Sequence, residues 1–349
     1  MNTQKLFLMA VAMAGLLASC KHDVDLYADF REIPVIYGVL DAEADTNYIK
    51  ITRAFYAQGD AYQVAQNPDS SNYPGKLDAR LTEFCNGEKK REIVLDTITI
   101  HNKQEGTFYA PDQKLYYTTE RLNLNTSKNK YSYHLVVAFP HDTITAQCDI
   151  VGNAGFQAQS LGVNFSKVYL GIRRKLLFKP ATNGDLYQFR FSFTFLEQRE
   201  PDGDSVPRTM HWDLLNYYDE EMAANMMNES YVFYYYPNNF YETLEDFIGG
   251  DTAVFGLKRY ITDYPIELTM TACGPNLRTY IYLNSMANDS YTGEPDFTLI
   301  EGCHGVFSSK ISHKAMLRLA GETVPDLLAM TNYGFKYIGG PLPDETENE

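Results

Sequence analysis

The sequence predicts a mainly β protein: an N-terminal immunoglobulin-like β-sandwich followed by a second β-rich domain with one or two short helices. Three observations carry this. Short apolar runs recur between turn signals from Ile33 to Ile150 with no helical period. Tyr187, Phe189, Phe191, Phe193 and Phe195 alternate strictly with Gln188, Arg190, Ser192 and Thr194, which is the period of a strand buried on one face. Helix-compatible spacing is confined to two short stretches in the second half.

Ile33 to Leu40 is an apolar strand closed by Asp41, and Ile49 and Ile51 alternate with Lys50 and Thr52 in the next. Gly59 to Gly75 contains Asn67-Pro68-Asp69-Ser70-Ser71-Asn72 and reads as one long turn-rich loop, long enough to carry function. Further strands are predicted at Leu77–Cys85, Arg91–Ile100, Gly106–Ala110, Lys114–Thr118, Tyr131–Phe139 and Thr143–Ile150. Asn86-Gly87 and Pro140-His141-Asp142 supply the hairpin turns. This set defines the sandwich domain, residues 33–151.

Gly152-Asn153-Ala154-Gly155 marks the boundary, and residues 156–320 form the second domain. Its five-aromatic strand predicts a face packed against another layer, because left bare it would be a very large apolar patch. Leu214, Leu215, Tyr218, Met222 and Met226 recur at helical steps between Trp212 and Met227, and Glu242 to Ile248 reads as a second helix. Strands resume at Ile266–Cys273, Thr279–Leu283 and Val306–Ile311. Residues 341–349, with Pro341, Pro343 and a run of acids, predict a disordered tail.

The first residues give an address. Lys5 precedes an apolar run from Leu6 to Leu17, which is shorter than the roughly 20 residues a membrane span needs. Leu17-Ala18-Ser19-Cys20 resembles the lipobox of bacterial lipoproteins. That resemblance implies a signal peptide over residues 1–19 and a diacylglycerol thioether and acylated amine on Cys20. Residues 20–32 form a polar tether. Several acyl chains, at about 0.8 kcal/mol per buried CH₂, make such an anchor effectively permanent. The acids Asp23 and Asp25 resemble the surface-export signal of Bacteroidota lipoproteins, which implies display at the cell surface, with a periplasm-facing position as the alternative.

Net charge is −15, which argues against nucleic acid because a phosphate-tracking surface needs clustered Lys and Arg. Setting Cys20 aside leaves Cys85, Cys148, Cys273 and Cys303. An even number in an exported chain permits disulfides, with Cys85–Cys148 and Cys273–Cys303 as the sequence-local pairing and buried free thiols as the alternative. No Cys-x-x-Cys or paired-His spacing suggests zinc, and no other metal or cofactor is expected.

Candidate chemistry is sparse. There is no Gly-x-Ser-x-Gly elbow. Cys303-His304 are adjacent, and neighbours on a strand point to opposite faces. His134 and His141 flank a turn. Pro201-Asp202-Gly203-Asp204-Ser205 lacks the distal glutamate of a calcium loop. The sequence is therefore read as non-catalytic. Its densest anomaly is Tyr231, Phe233, Tyr234, Tyr235, Tyr236, Phe240 and Tyr241, a candidate binding surface because tyrosines combine rigid area with a polar tip. The competing reading is that alternate residues there pack into the core.

Two stretches resemble a family. Ile33-Pro34-Val35-Ile36-Tyr37-Gly38-Val39-Leu40-Asp41 leading into Tyr48–Phe55, and Pro295–Lys310 with Gly302-Cys303-His304-Gly305, are similar to Bacteroidota outer-membrane lipoproteins grouped only as a domain of unknown function. Cys303 and His304 depart from the Gly-Gly-x-Gly-x-Phe turn usual in that family. The resemblance implies an outer-membrane lipoprotein, often encoded near TonB-dependent transporters, with no known chemistry. Asp96-Thr97-Ile98, Asp142-Thr143-Ile144, Asp204-Ser205-Val206 and Asp251-Thr252-Ala253 resemble the O-glycosylation sites of such exported proteins. The expected function is a non-catalytic binding or scaffold component of a cell-envelope complex, with a TonB-dependent transporter as partner. The alternative is a surface glycan-binding lipoprotein of a polysaccharide-uptake system, which the single Trp212 weakens. An enzyme of unrecognised type stands third.

Overall fold

The computed structural model describes residues 32–54, 60–126, 128–152, 154–156, 167–168, 173–200, 203–214, 217–223, 226–227, 229–236, 238–249, 257–289, 299–320, 323–329 and 333–338. The signal segment, Cys20, the tether up to residue 31, Asp251-Thr252-Ala253 and the acidic tail lie outside the described residues. The strands are β1 (Ile33–Asp41), β2 (Asn47–Ala54), β3 (Asp78–Cys85), β4 (Glu88–Val94), β5 (Asp96–Ile100), β6 (Gln113–Thr118), β7 (Tyr131–Ala138), β8 (Thr143–Asp149), β9 (Gly155–Phe156) and β10 (Lys167–Val168). They continue as β11 (Arg174–Lys179), β12 (Leu186–Gln198), β13 (Val206–Asp213), β14 (Tyr217–Tyr218), β15 (Met226–Met227), β16 (Ser230–Tyr235), β17 (Lys258–Ile261), β18 (Ile266–Cys273), β19 (His304–Leu319) and β20 (Phe335–Tyr337). The helices are α1 (Ala61–Ala65), α2 (Pro68–Ser71), α3 (Asp219–Ala223), α4 (Asn238–Ile248), α5 (Pro275–Asp289) and α6 (Thr323–Ala329).

The fold is mainly β, as the alternation predicts, and its N-terminal part is a sandwich. One layer is the order β1-β2-β6-β5, and the other is β4-β3-β7-β8. Ile36, Leu40, Ile49, Ile51 and Tyr116 from the first layer meet Leu81, Tyr133, Leu135, Val137 and Ile144 from the second in one core. Asn86 and Gly87, with φ of 51° and 81°, make the β3–β4 turn expected of an Asn-Gly pair.

The first layer does not end at β1. β1 pairs in parallel with the first half of β19, from Val35 opposite His304 to Asp41 opposite Lys310. The second half of β19 pairs antiparallel with β18, which pairs with β12. Phe307 belongs to the sandwich core, whereas Ile311 and Leu317 belong to the second core. These are all odd positions of one strand, so both cores lie on the same face of one continuous sheet.

Tyr187, Phe189, Phe191, Phe193 and Phe195 of β12 are buried on that face. The β15-β16-β11-β9 sheet and helices α4 and α6 contribute the residues packed against them. Phe191 stacks on Trp212 at 5.1 Å between ring centres, and Phe193 meets Phe240 edge-on at 5.5 Å. Burying each such side chain contributes roughly 1.5–3 kcal/mol.

Several elements differ from the sequence expectation. Arg91–Ile100 is two strands in different layers, because the chain crosses at Leu95, whose N–H donates to the Ala79 carbonyl and whose side chain is buried. Gly106–Ala110 is not a strand; Tyr109 N–H is taken by the Ala65 carbonyl. Thr279–Leu283 lies inside α5. Its local β propensity loses to a proline start at Pro275 and to Leu277 and Ile281, one turn apart, facing the sheet. Trp212 belongs to β13, and among the described residues of the Trp212–Met227 stretch only Asp219–Ala223 is helical. The Gly59–Gly75 loop contains α1 and α2, whose first turns Asp60 and Asn67 cap with their side chains.

Candidate functional site

The tyrosine-rich stretch is divided between interior and surface. Tyr231 and Tyr235 of β16 and Phe240 of α4 are buried in the second core, and Tyr241 is half-buried against it. Tyr234 and Tyr236 are 45 % and 54 % exposed, and the Arg173 guanidinium lies over them, 4.0 Å and 5.2 Å from the ring centres. Phe233 occupies its place on β16 opposite Leu176. As a continuous binding surface this stretch is corrected to two exposed rings among the described side chains, because strand alternation turns Tyr231 and Tyr235 inward and α4 packs Phe240 into the core.

The cysteine pairing is also corrected. Cys85, Cys148, Cys273 and Cys303 are all free and buried. Cys85 on β3 and Cys148 on β8 are separated by β7 and staggered along it, opposite Tyr131 and Tyr133, so their backbones lie roughly 11–12 Å apart, beyond the roughly 7 Å limit for a bridge. Cys273 sits opposite Lys310, seven residues along β19 from Cys303, which at about 3.3 Å per residue is far out of reach. Burial pushes the Cys303 thiol up to about 12, and its sulfur lies 3.1 Å from the His304 carbonyl rather than against an imidazole. His134 lies against Phe84, 4.3 Å between ring centres, and His141 is exposed in its turn. Among the described residues no three His, Cys, Asp or Glu side chains gather to hold a metal ion.

The feature with the geometry of a binding site is a cleft of about 600 Å³ on the outer face of the sandwich. Its floor is the face of β1, β2 and β6 opposite the core: Val35, Tyr37, Lys50, Thr52 and Gln113. One wall is the α1–α2 segment, with Tyr62, Ala65 and Asn72; the other is residues 103–112, with Lys103, Phe108 and Tyr109. The walls hold each other. Gln66 Nε2 donates to the carbonyls of Gly106 and Thr107, both at 3.0 Å, and Tyr109 N–H donates to Ala65. Arg53 fixes the α2 side: its guanidinium donates to the Ser70 and Asp69 carbonyls at 3.2 Å and 2.7 Å and pairs with Glu32 at 2.8 Å.

The cleft is cationic in an acidic protein. Lys50 Nζ touches Gln113 Oε1 at 3.4 Å, and Lys103 Nζ donates to the Tyr109 carbonyl at 2.6 Å. Burial in the cleft and the nearby charge of Lys103 lower the Lys50 pKa. Tyr37, Tyr62 and Phe108 expose 39 %, 60 % and 50 % of their area there. A second cavity of about 610 Å³, over β7, β8 and the start of α5, has Asp149, Asp185 and Glu301 as its carboxylates and offers no Lys or Arg.

The cleft was not legible as a site in the sequence, apart from the Gly59–Gly75 segment that supplies one wall. Its residues come from four separated stretches, and none of them forms a motif. No protein-family model matches the chain, and no curated protein sequence matches it.

Proposed function

We propose that this chain is a lipid-anchored, non-catalytic binding component of a bacterial outer-membrane complex, attached through Cys20 and capturing its ligand or partner in the Tyr37–Lys50–Tyr62–Phe108 cleft. The anchor rests on the lipobox resemblance. A TonB-dependent transporter is the partner the family resemblance implies. The cleft carries the binding role: a concave, mostly apolar volume with a few placed polar groups, in the roughly 300–1,000 Å³ range of small-ligand sites. It opens beside the first residues of β1, so the tether from Cys20 would hold it within roughly 50 Å of the lipid even at full extension.

The cleft also favours a second reading, in which the captured molecule is a glycan. Tyr37, Tyr62 and Phe108 offer aromatic faces to sugar rings despite the lack of exposed tryptophan. The test is membrane fractionation and a tagged pull-down from solubilised outer membranes, with wild type beside Cys20→Ala. Lipidated protein in the outer membrane, with a stoichiometric partner or a glycan recovered, supports the proposal. A wild-type protein that fractionates as soluble overturns the anchor.

A further inference from the structure

We infer that the cleft over β1, β2 and β6 takes a uronic-acid residue of an acidic oligosaccharide, its carboxylate received by Lys50 and Lys103 and its ring by the aromatic walls. This rests on the binding role proposed above and names the ligand class. The argument begins with charge. The chain carries −15, yet this cleft presents two ammonium groups that form no ion pair among the described residues. The cleft's other charged side chains are occupied: Arg53 by Glu32 and two carbonyls, and Asp112 by His101 at 2.6 Å. Two like charges brought together in a half-buried site repel each other, and an anion entering between them turns that repulsion into attraction.

The anion must arrive on a ring. Tyr62 and Phe108 stand exposed on opposite walls, and Lys103 Nζ lies 5.7 Å from the Phe108 ring centre. A charge beside an aromatic face suits a carboxylate attached directly to a flat-sided sugar. Thr52, Asn72 and Gln113 add neutral polar side chains to the lining. Lysines receive phosphate and carboxylate alike as point charges, so it is the flanking aromatic faces and neutral polar side chains that favour an acid carried on a sugar ring.

The experiment is calorimetric titration of the full chain in detergent. The probes are trimers of galacturonate, glucuronate and mannuronate, their neutral methyl esters, and glycerol 3-phosphate. We expect at least one uronate trimer to bind and its methyl ester to bind about tenfold or more weakly. Lys50→Gln and Lys103→Gln should each cost about tenfold, whereas Lys50→Arg retains binding. Unchanged thermal unfolding would show that these variants fold. Equal binding of acid and ester, untouched by the lysine variants, overturns the acidic class and leaves the binding role standing. Stronger binding of glycerol 3-phosphate overturns the sugar. Silence from every probe, with the fold intact, overturns this inference, while a partner recovered in the pull-down would still uphold the binding role.

Discussion

Arg259 Nε and Glu197 Oε2 meet at 2.9 Å with both side chains closed off from solvent, at 0 % and 2 % exposure. The same carboxylate receives Arg208 at 2.8 Å and Arg199 at 3.0 Å, while Arg259 Nη1 donates to the Tyr333 carbonyl. One acid thus ties β12, β13, β17 and the chain entering β20. Glu197→Gln strips the buried Arg259 of its counter-charge and should cost about 3–5 kcal/mol in denaturant unfolding. Arg259→Met leaves Glu197 with two cations and should cost less.

The same cluster predicts a pH dependence. Burial alone would raise the Glu197 pKa, but the hydrogen bonds and charges of Arg208 and Arg259 outweigh it and hold the carboxyl below its usual value. A depressed folded pKa means the stabilisation is complete above the unfolded value, about 4.3, and is lost as pH falls through the folded one. Wild-type stability should therefore fall below about pH 4, and the fall should be shallower in Glu197→Gln. Urea midpoints measured between neutral and acid pH would check this.

Gly305 sits at φ +110° opposite Ile36, and a Cβ there would lie 1.9 Å from the Ile36 carbonyl oxygen. The parallel β1–β19 contact thus requires glycine at this position. Gly305→Ala should cost more than about 2 kcal/mol or prevent folding, with β1 amides losing hydrogen-exchange protection first. Gly302→Ala is the comparison. It also has positive φ, at +73°, but its nearest neighbour is the Ile144 methyl at 3.2 Å, so its cost should be nearer 1 kcal/mol, roughly the strain of one left-handed residue.

The β character and the buried aromatic face were legible because each is a short-range pattern. Tyr187 to Phe195 alternates, and strands obey alternation. Asn86-Gly87 forces a hairpin through its own backbone preference. The cleft was not legible, because nothing in the sequence distinguishes Lys50 from any other polar residue on a strand's outer face. It becomes a site only when residues 60–72 and 103–112 fold over it. Thr279–Leu283 misleads for the related reason that tertiary packing of α5, including Tyr280 edge-on to Tyr37 at 5.9 Å, overrides local propensity.

Tyr235 and Tyr236 are neighbours with opposite roles. Tyr235 is 1 % exposed and lies 5.2 Å from the Phe191 ring centre, whereas Tyr236 is mostly in solvent. Tyr235→Ala should cost about 3–5 kcal/mol through the cavity it leaves. Tyr234→Ala and Tyr236→Ala should each cost less than about 1 kcal/mol, the size of an exposed cation–π contact with Arg173. Thermal unfolding separates the two classes, and any loss of ligand binding in Tyr235→Ala would follow from loss of the fold.

The four buried thiols should be silent in the folded protein. Nucleophilic attack needs thiolate. Burial pushes Cys273 up to about 11 and Cys303 up to about 12, and it raises Cys148 as well. At neutral pH native protein should therefore take up almost no iodoacetamide at these three, burial keeps the reagent from Cys85, and denaturant should open all four to it. Mass spectrometry of labelled peptides, with and without prior reduction, checks both points. A peptide pair joining Cys85 to Cys148 would contradict the intervening β7 and require the β3-β7-β8 order to be wrong.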